Sequence, residues 1–159
     1  MDIPPGCKIE GTTFVHCRMS FTGEFDIPQG ITSIGGRAFE GCYSLTGVNI
    51  PESVSEIGAW AFSGCREFAG INIPANVSEI GASAFDGCRA MVYAIVPPGC
   101  KVGAGAFPAD CGIFRSASEY RLHLAKNMAA DLDGNKVEVV GMRQPTDFPA
   151  ACSGRGLER

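Results

Sequence analysis

The chain has 159 residues, and with 45% hydrophobic and 19% charged residues it carries enough apolar material for one folded core. This balance excludes a wholly disordered chain. Thirteen Lys and Arg against seventeen Asp and Glu give a net charge of −4, which lacks the basic footprint of a nucleic-acid-binding protein. No apolar run approaches the roughly 18 residues of a membrane span, and the first residues lack the basic and apolar regions of a secretory signal peptide. We therefore expect neither a nucleic-acid partner nor a membrane span.

Four short motifs recur at steps of 23 residues through much of the chain. Ile-Pro begins at positions 27, 50 and 73, and Ile-Gly, Ala-Phe and Gly-Cys follow at the same offsets each time. Phe14 and Cys17 repeat the spacing of Phe39 and Cys42 in a more divergent stretch. The repetition predicts a solenoid whose divergent end units cover its core. The consensus repeats are 27–49, 50–72 and 73–95, and the divergent repeats are 3–26 and 96–118.

Each repeat contains two kinds of local pattern. Residues 48–50 alternate apolar, polar and apolar, which is the period of a strand, and Pro51 lacks the N–H that would continue it. The four-residue spacing of Ile57, Ala61 and Cys65 predicts one or two helical turns or a 3-10 segment. We interpret the glycine after Ile57 as a bend into that segment.

The repeat, written Ile-Pro-x-x-Val-x-x-Ile-Gly-x-x-Ala-Phe-x-Gly-Cys-x-x-Leu-x-x-Val-x, resembles the BspA-type leucine-rich repeat over residues 3 to about 117. The resemblance implies an α/β repeat fold: a right-handed leucine-rich-repeat solenoid with a parallel β-sheet on the concave face and short helical or 3-10 turns on the convex face. Members of the family occur on bacterial surfaces and in protists, mostly as adhesion or interaction proteins. Because no catalytic motif defines the family, the resemblance implies a protein that is not an enzyme.

Seven of the eight cysteines occupy repeat positions. Cys7 and Cys100 lie where Ile31, Val54 and Val77 lie in other repeats. Because free cysteine behaves as a small apolar side chain, we expect buried, reduced thiols. There is no Cys-x-x-Cys and no zinc-type Cys/His spacing, so we predict no metal and no cofactor. The five at the Gly-Cys position or its divergent equivalent form the predicted cysteine ladder: Cys17, Cys42, Cys65, Cys88 and Cys111.

Outward side chains of the predicted strands form candidate binding rows on the concave face. Two of them, Tyr93 and Ile95, are of a type that often forms the centre of interfaces. Three interpretations stay open: a solvated polar face, a partner-binding surface, or coverage of Tyr93 and Ile95 by the C-terminal segment. The candidate binding residues on this face are Asp26, Asn49, Asn72, Tyr93 and Ile95.

Trp60, the only tryptophan, is a candidate binding residue on the convex side. It occupies the repeat position of Arg37, Ser83 and Gly105, which indicates exposure. Tryptophan is enriched at the energetic centres of interfaces. The alternative is that its ring lies flat over neighbouring repeats.

The repeat ends near residue 117. Ser116 and Glu119 form a capping box that predicts a helix, although residues 120–124 also alternate as a strand would. We favour the helix, with Tyr120, Leu124 and Met128 as its apolar stripe. The predicted units are a solenoid over 1–117, a capping segment over 118–142 containing a short strand at 137–142, and a disordered tail over 143–159.

These observations favour a non-catalytic protein–protein interaction or adhesion module, a monomer with an unidentified protein partner. Two alternatives remain. The cysteines could serve a thiol-active or metal-binding protein, or the chain could be a fragment of a larger protein whose activity lies elsewhere. We expect a cytoplasmic protein if the chain is complete, and a cell-surface protein if it is a fragment of a longer BspA-like protein.

Overall fold

The computed structural model describes residues 5–17 and 21–131, with side chains up to residue 127. Within these residues the chain forms eleven short strands and one helix. They are β1 Lys8–Glu10, β2 Thr13–His16, β3 Gly23–Asp26, β4 Ser33–Ile34, β5 Leu45–Asn49, β6 Glu56–Ile57, β7 Gly70–Asn72, β8 Glu79–Ile80, β9 Tyr93–Ile95, β10 Lys101–Val102, β11 Gly112–Phe114 and α1 Ala117–Asp131.

The strands form two ladders of parallel strands. Each consensus repeat contributes one strand to the first ladder and one to the second. The first ladder is a six-stranded sheet in the order β1-β2-β4-β6-β8-β10. The second consists of β3-β5 followed by β7-β9-β11. All of these pairings are parallel except β1 with β2. The chain is therefore a solenoid of parallel-stranded coils, which confirms the predicted architecture.

The segment expected to form helical turns or a 3-10 segment consists of consecutive turns. Some of its N–H groups bond three residues back, as Ala61 does to Gly58 at 3.3 Å. Others bond the next coil, as Phe62 N–H does to the carbonyl of Ala84 at 2.7 Å. Trp60, which directly precedes Ala61, has a left-handed φ of 60°. The N–H groups that bond the next coil are donors that an α-helix would use for its own backbone bonds. The segment therefore forms turns although its apolar residues have helix-like spacing.

The first ladder was not predicted from the sequence, and the glycine after each of its isoleucines has a different role from the one expected. A Cβ on Gly58 would lie under 3.0 Å from the backbone of Gly36, and one on Gly81 would overlap the backbone of Ala59. Neither glycine has a positive φ. The Ile-Gly motif is therefore explained by close approach of neighbouring coils rather than by a bend.

A column of phenylalanines runs through the core. Neighbouring rings are nearly parallel, with centroids 4.8 to 5.1 Å apart. The rings are fully buried except at the C-terminal end, where Phe107 is half-buried. The column comprises Phe14, Phe39, Phe62, Phe85 and Phe107.

The first divergent repeat does not follow the expected register. β1 folds back on β2 as an antiparallel hairpin. Phe14 pairs with Ile34 of the Ile-Gly motif, and the N–H of Cys17 bonds the carbonyl of Ala38 at 2.7 Å, as Phe39 does with Ala61. Phe14 therefore lies at the Ile-Gly position and Cys17 at the Ala-Phe position, each one motif earlier in the repeat than their spacing predicted. The reason is that the hairpin of β1 and β2 replaces part of a coil.

Helix α1 begins at the predicted capping box. The N–H of Glu119 donates to Oγ of Ser116 at 3.1 Å, and the N–H of Arg115 donates to Oε2 of Glu119 at 2.5 Å. These two bonds satisfy donors at the helix start, which explains why helix prevails over the competing alternation. No helix among the described residues is long and apolar enough to cross a membrane. The predicted strand at 137–142 and tail at 143–159 lie outside the described residues.

Candidate binding surface

Three polar residues, Asp26, Asn49 and Asn72, end successive strands of the second ladder and are here called the polar row. Asp26 pairs with Asn49 across β3 and β5, and Asn72 is the equivalent residue of β7. The side-chain amide of Asn49 donates to the carboxylate of Asp26. Asp26 is exposed, and the two asparagines are half-buried. The row thus presents carboxylate and amide groups that are partly ordered by their own contacts.

The other two predicted residues of this face are not accessible. Tyr93 is 2% exposed and Ile95 is 4% exposed, because α1 packs over them. The ring of Tyr120 stacks on that of Tyr93 at 4.5 Å, and Leu124 joins the same cluster. The expectation that Tyr93 and Ile95 contact a partner is wrong in this structure. The alternative that the C-terminal segment covers them is the one observed.

Gly70 makes this arrangement possible. A Cβ at Gly70 would collide with the ring of Tyr93, which lies across it on the outer side of the sheet. A glycine at position 70 is therefore required by the packing of the Tyr93 ring.

A cleft of about 220 Å³ lies at the end of the polar row, between the turns after β7 and β9 and the start of α1. Asn72, Pro74 and Pro97 form part of its wall. Glu52 and Arg115 contribute one charge of each sign. Four segments meet here, namely the turns after β5, β7 and β9 and the residues that follow β11. The 23-residue pattern did not single out Glu52 or Arg115 as contributors to a site.

Trp60 lies on the turn between the two ladders and is 38% exposed. Its φ of 60° is matched by Arg37 at 63°, Ser83 at 54° and Gly105 at 62°. The left-handed conformation costs a non-glycine residue roughly 1–2 kcal/mol. The repeat position itself therefore imposes the conformation, and Trp60 adopts it despite its size.

Three members of the cysteine ladder, Cys42, Cys65 and Cys88, are fully buried in register. Sγ of Cys65 donates to the carbonyl of Phe39 at 3.1 Å, and the neighbouring rung repeats this bond to the previous coil. A hydrogen bond with Cys88 and burial raise the pKa of the Cys65 thiol. The three side chains thus lie in the core, at the repeat position where the sequence predicted buried cysteines.

The two terminal members of the ladder depart from that register. Cys17 lies in the shifted first coil, and Cys111 directly precedes β11, whereas Cys88 lies five residues before β9. Burial raises the pKa of the half-buried Cys111 to about 12. No disulfide joins the seven described cysteines, and residues 5–17 and 21–131 contain no group of three or more His, Cys, Asp or Glu that could hold a metal ion.

Parallel coils, two strand ladders and a repeating Phe and Cys core define a leucine-rich-repeat solenoid. The sequence pattern of the BspA type leucine-rich repeat region matches residues 7–117 in six copies, one more than the five repeats counted above. The chain belongs to this BspA-type leucine-rich repeat family, whose members are typically non-catalytic. No curated protein matches the chain significantly.

Solved structures of leucine-rich-repeat proteins resemble this chain. One from Eubacterium ventriosum has 24% identity and a TM-score of 0.50 over 59% of this chain and 24% of its own. A leucine-rich cell surface protein from Faecalibacterium prausnitzii has 22% identity and a TM-score of 0.47 over 68% of this chain and 36% of its own. The T. pallidum leucine-rich-repeat protein has 27% identity and a TM-score of 0.44, over 70% and 59% respectively. The chain thus spans less than two thirds of each, and the likeness concerns the fold alone.

Proposed function

We propose that this chain is a non-catalytic binding module that holds a protein partner on the polar row and in the adjoining cleft. The observation that carries the proposal is continuity: Asp26, Asn49 and Asn72 form one accessible row, and Asn72 also lines the cleft. Solenoids commonly bind partners on an extended sheet face.

The accessible part of this face has a defined limit. Helix α1 covers the outer side of β9 and β11, so a partner reaches the second ladder only over β3, β5 and β7. Each asparagine amide carries both donors and an acceptor, which suits the peptide groups of a protein partner.

The cleft supplies the selective contact in this proposal. A volume of about 220 Å³ is suited to one partner side chain rather than a whole ligand. The prolines give that side chain an apolar wall, while Glu52 and Arg115 favour partners with complementary charge on either side of it.

Trp60 is a second proposed contact, away from the polar row. Its partial exposure leaves ring area available to a partner, and an aromatic ring loses little conformational entropy on binding. Trp60→Gly tests it without backbone strain, since Gly105 occupies the equivalent position with a φ of 62°. We expect weaker binding by a chain that keeps the fold, with circular dichroism as the check on folding.

The first test is site-specific photo-crosslinking on the full chain. A photoreactive amino acid replaces Asn72 in one variant and the exposed Arg89 of a distant turn in the control. We expect a protein adduct from position 72 that is absent from position 89. Equal adducts from both positions, or none from position 72, would contradict the proposal.

The second test uses the partner identified by that adduct. Asn49→Ala and Arg115→Ala should each weaken its Kd about tenfold, equivalent to about 1.4 kcal/mol. Arg89→Ala, an exposed arginine outside the row and cleft, should leave Kd unchanged. If only Trp60→Gly weakens the Kd, the partner binds the turns around Trp60 and not the polar row and cleft, which would contradict the proposal.

A further inference from the structure

The N-terminal hairpin brings two cysteines together. Cys7 directly precedes β1 and Cys17 directly follows β2, and Lys8 pairs with His16 just inside them. Antiparallel pairing therefore places Cys7 opposite Cys17, and their Sγ atoms lie 2.8 Å apart. Residues opposite each other on antiparallel strands have the backbone separation that a disulfide requires.

The two thiols differ in access. Cys7 is half-buried, whereas Cys17 is 1% exposed. A reagent in solution therefore reaches the Cys7 thiol more readily than the buried Cys17 thiol. The core cysteines Cys65 and Cys88 contrast with this pair, because they are fully buried and each donates to a backbone carbonyl of the previous coil.

Cys100 serves as an internal comparison. Pro-Pro-Gly-Cys-Lys occurs at residues 4–8 and again at 97–101, so Cys7 and Cys100 have the same local sequence. Cys100 is also half-buried, but β10 pairs in parallel with β8 and has no antiparallel return strand. The paired thiols are a product of the hairpin rather than of the local sequence.

We propose that Cys7 and Cys17 form a redox-active pair that closes into a disulfide by exchange with low-molecular-weight disulfides. The thiolate of Cys7 attacks one sulfur of the small disulfide, giving a mixed disulfide and releasing one small thiol. The thiolate of Cys17 then attacks Sγ of Cys7 and releases the second small thiol. The pair loses two protons and two electrons, and the small disulfide gains them.

Closure would join the two ends of the hairpin covalently. β2 carries the hairpin onto β4 through the pairs Thr13 with Ser33 and Phe14 with Ile34. The crosslink thus fixes the terminal strands of the first ladder and leaves the polar row untouched, so the proposal stands independently of partner binding.

The test exposes the full, reduced chain to oxidised glutathione, followed by acid quench, intact-mass measurement and peptide mapping. We expect a product lighter by two hydrogens, with the bond mapped to Cys7 and Cys17 and reversed by excess reduced glutathione. Cys17→Ala should stop at one glutathione adduct on Cys7. Cys7→Ser should leave Cys17 unmodified, and Cys100→Ser should behave as the unaltered chain.

Three results would overturn the proposal. These are a stable glutathione adduct on Cys7 in the unaltered chain, no reaction at Cys7, or a disulfide that maps to other cysteines such as Cys100 with Cys111 or any pair with Cys152. Should Cys17→Ala fail to fold, early quenching of the unaltered chain replaces it. The transient mixed disulfide must then appear on Cys7 before the mapped crosslink.

Discussion

The two ends of the solenoid differ in how far their cores are covered. At the N-terminal end an antiparallel strand, β1, extends the first ladder, and the inward ring of Phe14 is fully buried. At the C-terminal end α1 lies on the outer side of the second ladder. Inward positions of the last coil stay exposed among the described residues, with Val102 at 42% and Ile113 at 48%.

Covering the end of the core and covering Tyr93 and Ile95 are therefore two separate roles, although both were expected of the C-terminal segment. The C-terminal segment was expected to cover the open end of the core, yet its described helix covers Tyr93 and Ile95 on a lateral face. A strand can extend a ladder and close its end, whereas a helix needs an apolar patch on which to lie. Tyr93 and Ile95 provide that patch beside the last coil.

The largest expected effect comes from truncating the phenylalanine column at each end. Phe14→Ala removes a fully buried ring stacked 4.8 Å from Phe39 and should cost about 3–5 kcal/mol of unfolding free energy. Phe107→Ala removes a half-buried ring stacked 5.1 Å from Phe85 and should cost about half as much. Urea denaturation of both variants measures the difference. Equal losses would mean that the C-terminal end is as well covered as the other.

A smaller effect is expected at the contact between helix and sheet. Tyr93→Ala removes the ring that stacks on Tyr120 and should cost about 2–3 kcal/mol. Hydrogen exchange at the amides of α1 should accelerate more than exchange in β4 and β6. Tyr43→Ala is the matched control, because Tyr43 is 49% exposed and its ring packs against the guanidinium of Arg66, away from α1. If the helix amides respond equally to both variants, the stacking does not hold the helix.

The helix cap should contribute less than the stacking. Ser116→Ala removes the acceptor of the Glu119 N–H and should cost about 1 kcal/mol. Ser118→Ala, two residues into the same helix, keeps that bond and should change stability little. Thermal unfolding followed by circular dichroism compares them, and a larger loss from Ser118→Ala would refute the assigned cap.

The smallest effect is expected at the open end. Val102→Ala should cost no more than about 0.5 kcal/mol because the side chain is 42% exposed. Val77→Ala, the same change at a side chain 2% exposed, should cost about 2 kcal/mol. Denaturation at two protein concentrations also tests for a second copy on this end. A large, concentration-dependent loss for Val102→Ala would show that the end is covered in solution.

The repeat made the regular part of this fold predictable. Val48 and Asn49 alternate within β5, and Ser116 with Glu119 marks the start of α1, since both signals depend only on nearby residues. The antiparallel turn of the first coil could not be inferred, because Cys7 and Cys100 share a local sequence but differ in strand pairing.

The candidate site likewise has one part that the sequence predicts, the polar row, and one part that it does not, the cleft. The positions of Asp26, Asn49 and Asn72 follow from strand alternation. The cleft does not, because Arg115 directly follows β11, whose Gly112 pairs with Tyr93 at an offset of 19 residues instead of the 23 of the repeat. Gly70 was an available sign of the coverage at Tyr93, although it shares its repeat position with Gly47, so the repeat gave no reason to single it out.

The close approach at Gly58 and Gly81 has a mechanical consequence. Neighbouring backbones there leave no space for even one carbon atom, so the coils cannot move closer together along that line. Turns on the remaining perimeter carry side chains that can rearrange. We therefore expect the solenoid to be stiff against compression on the glycine side and to bend by opening there. Its elasticity is then direction-dependent, set by backbone contact rather than by side chains.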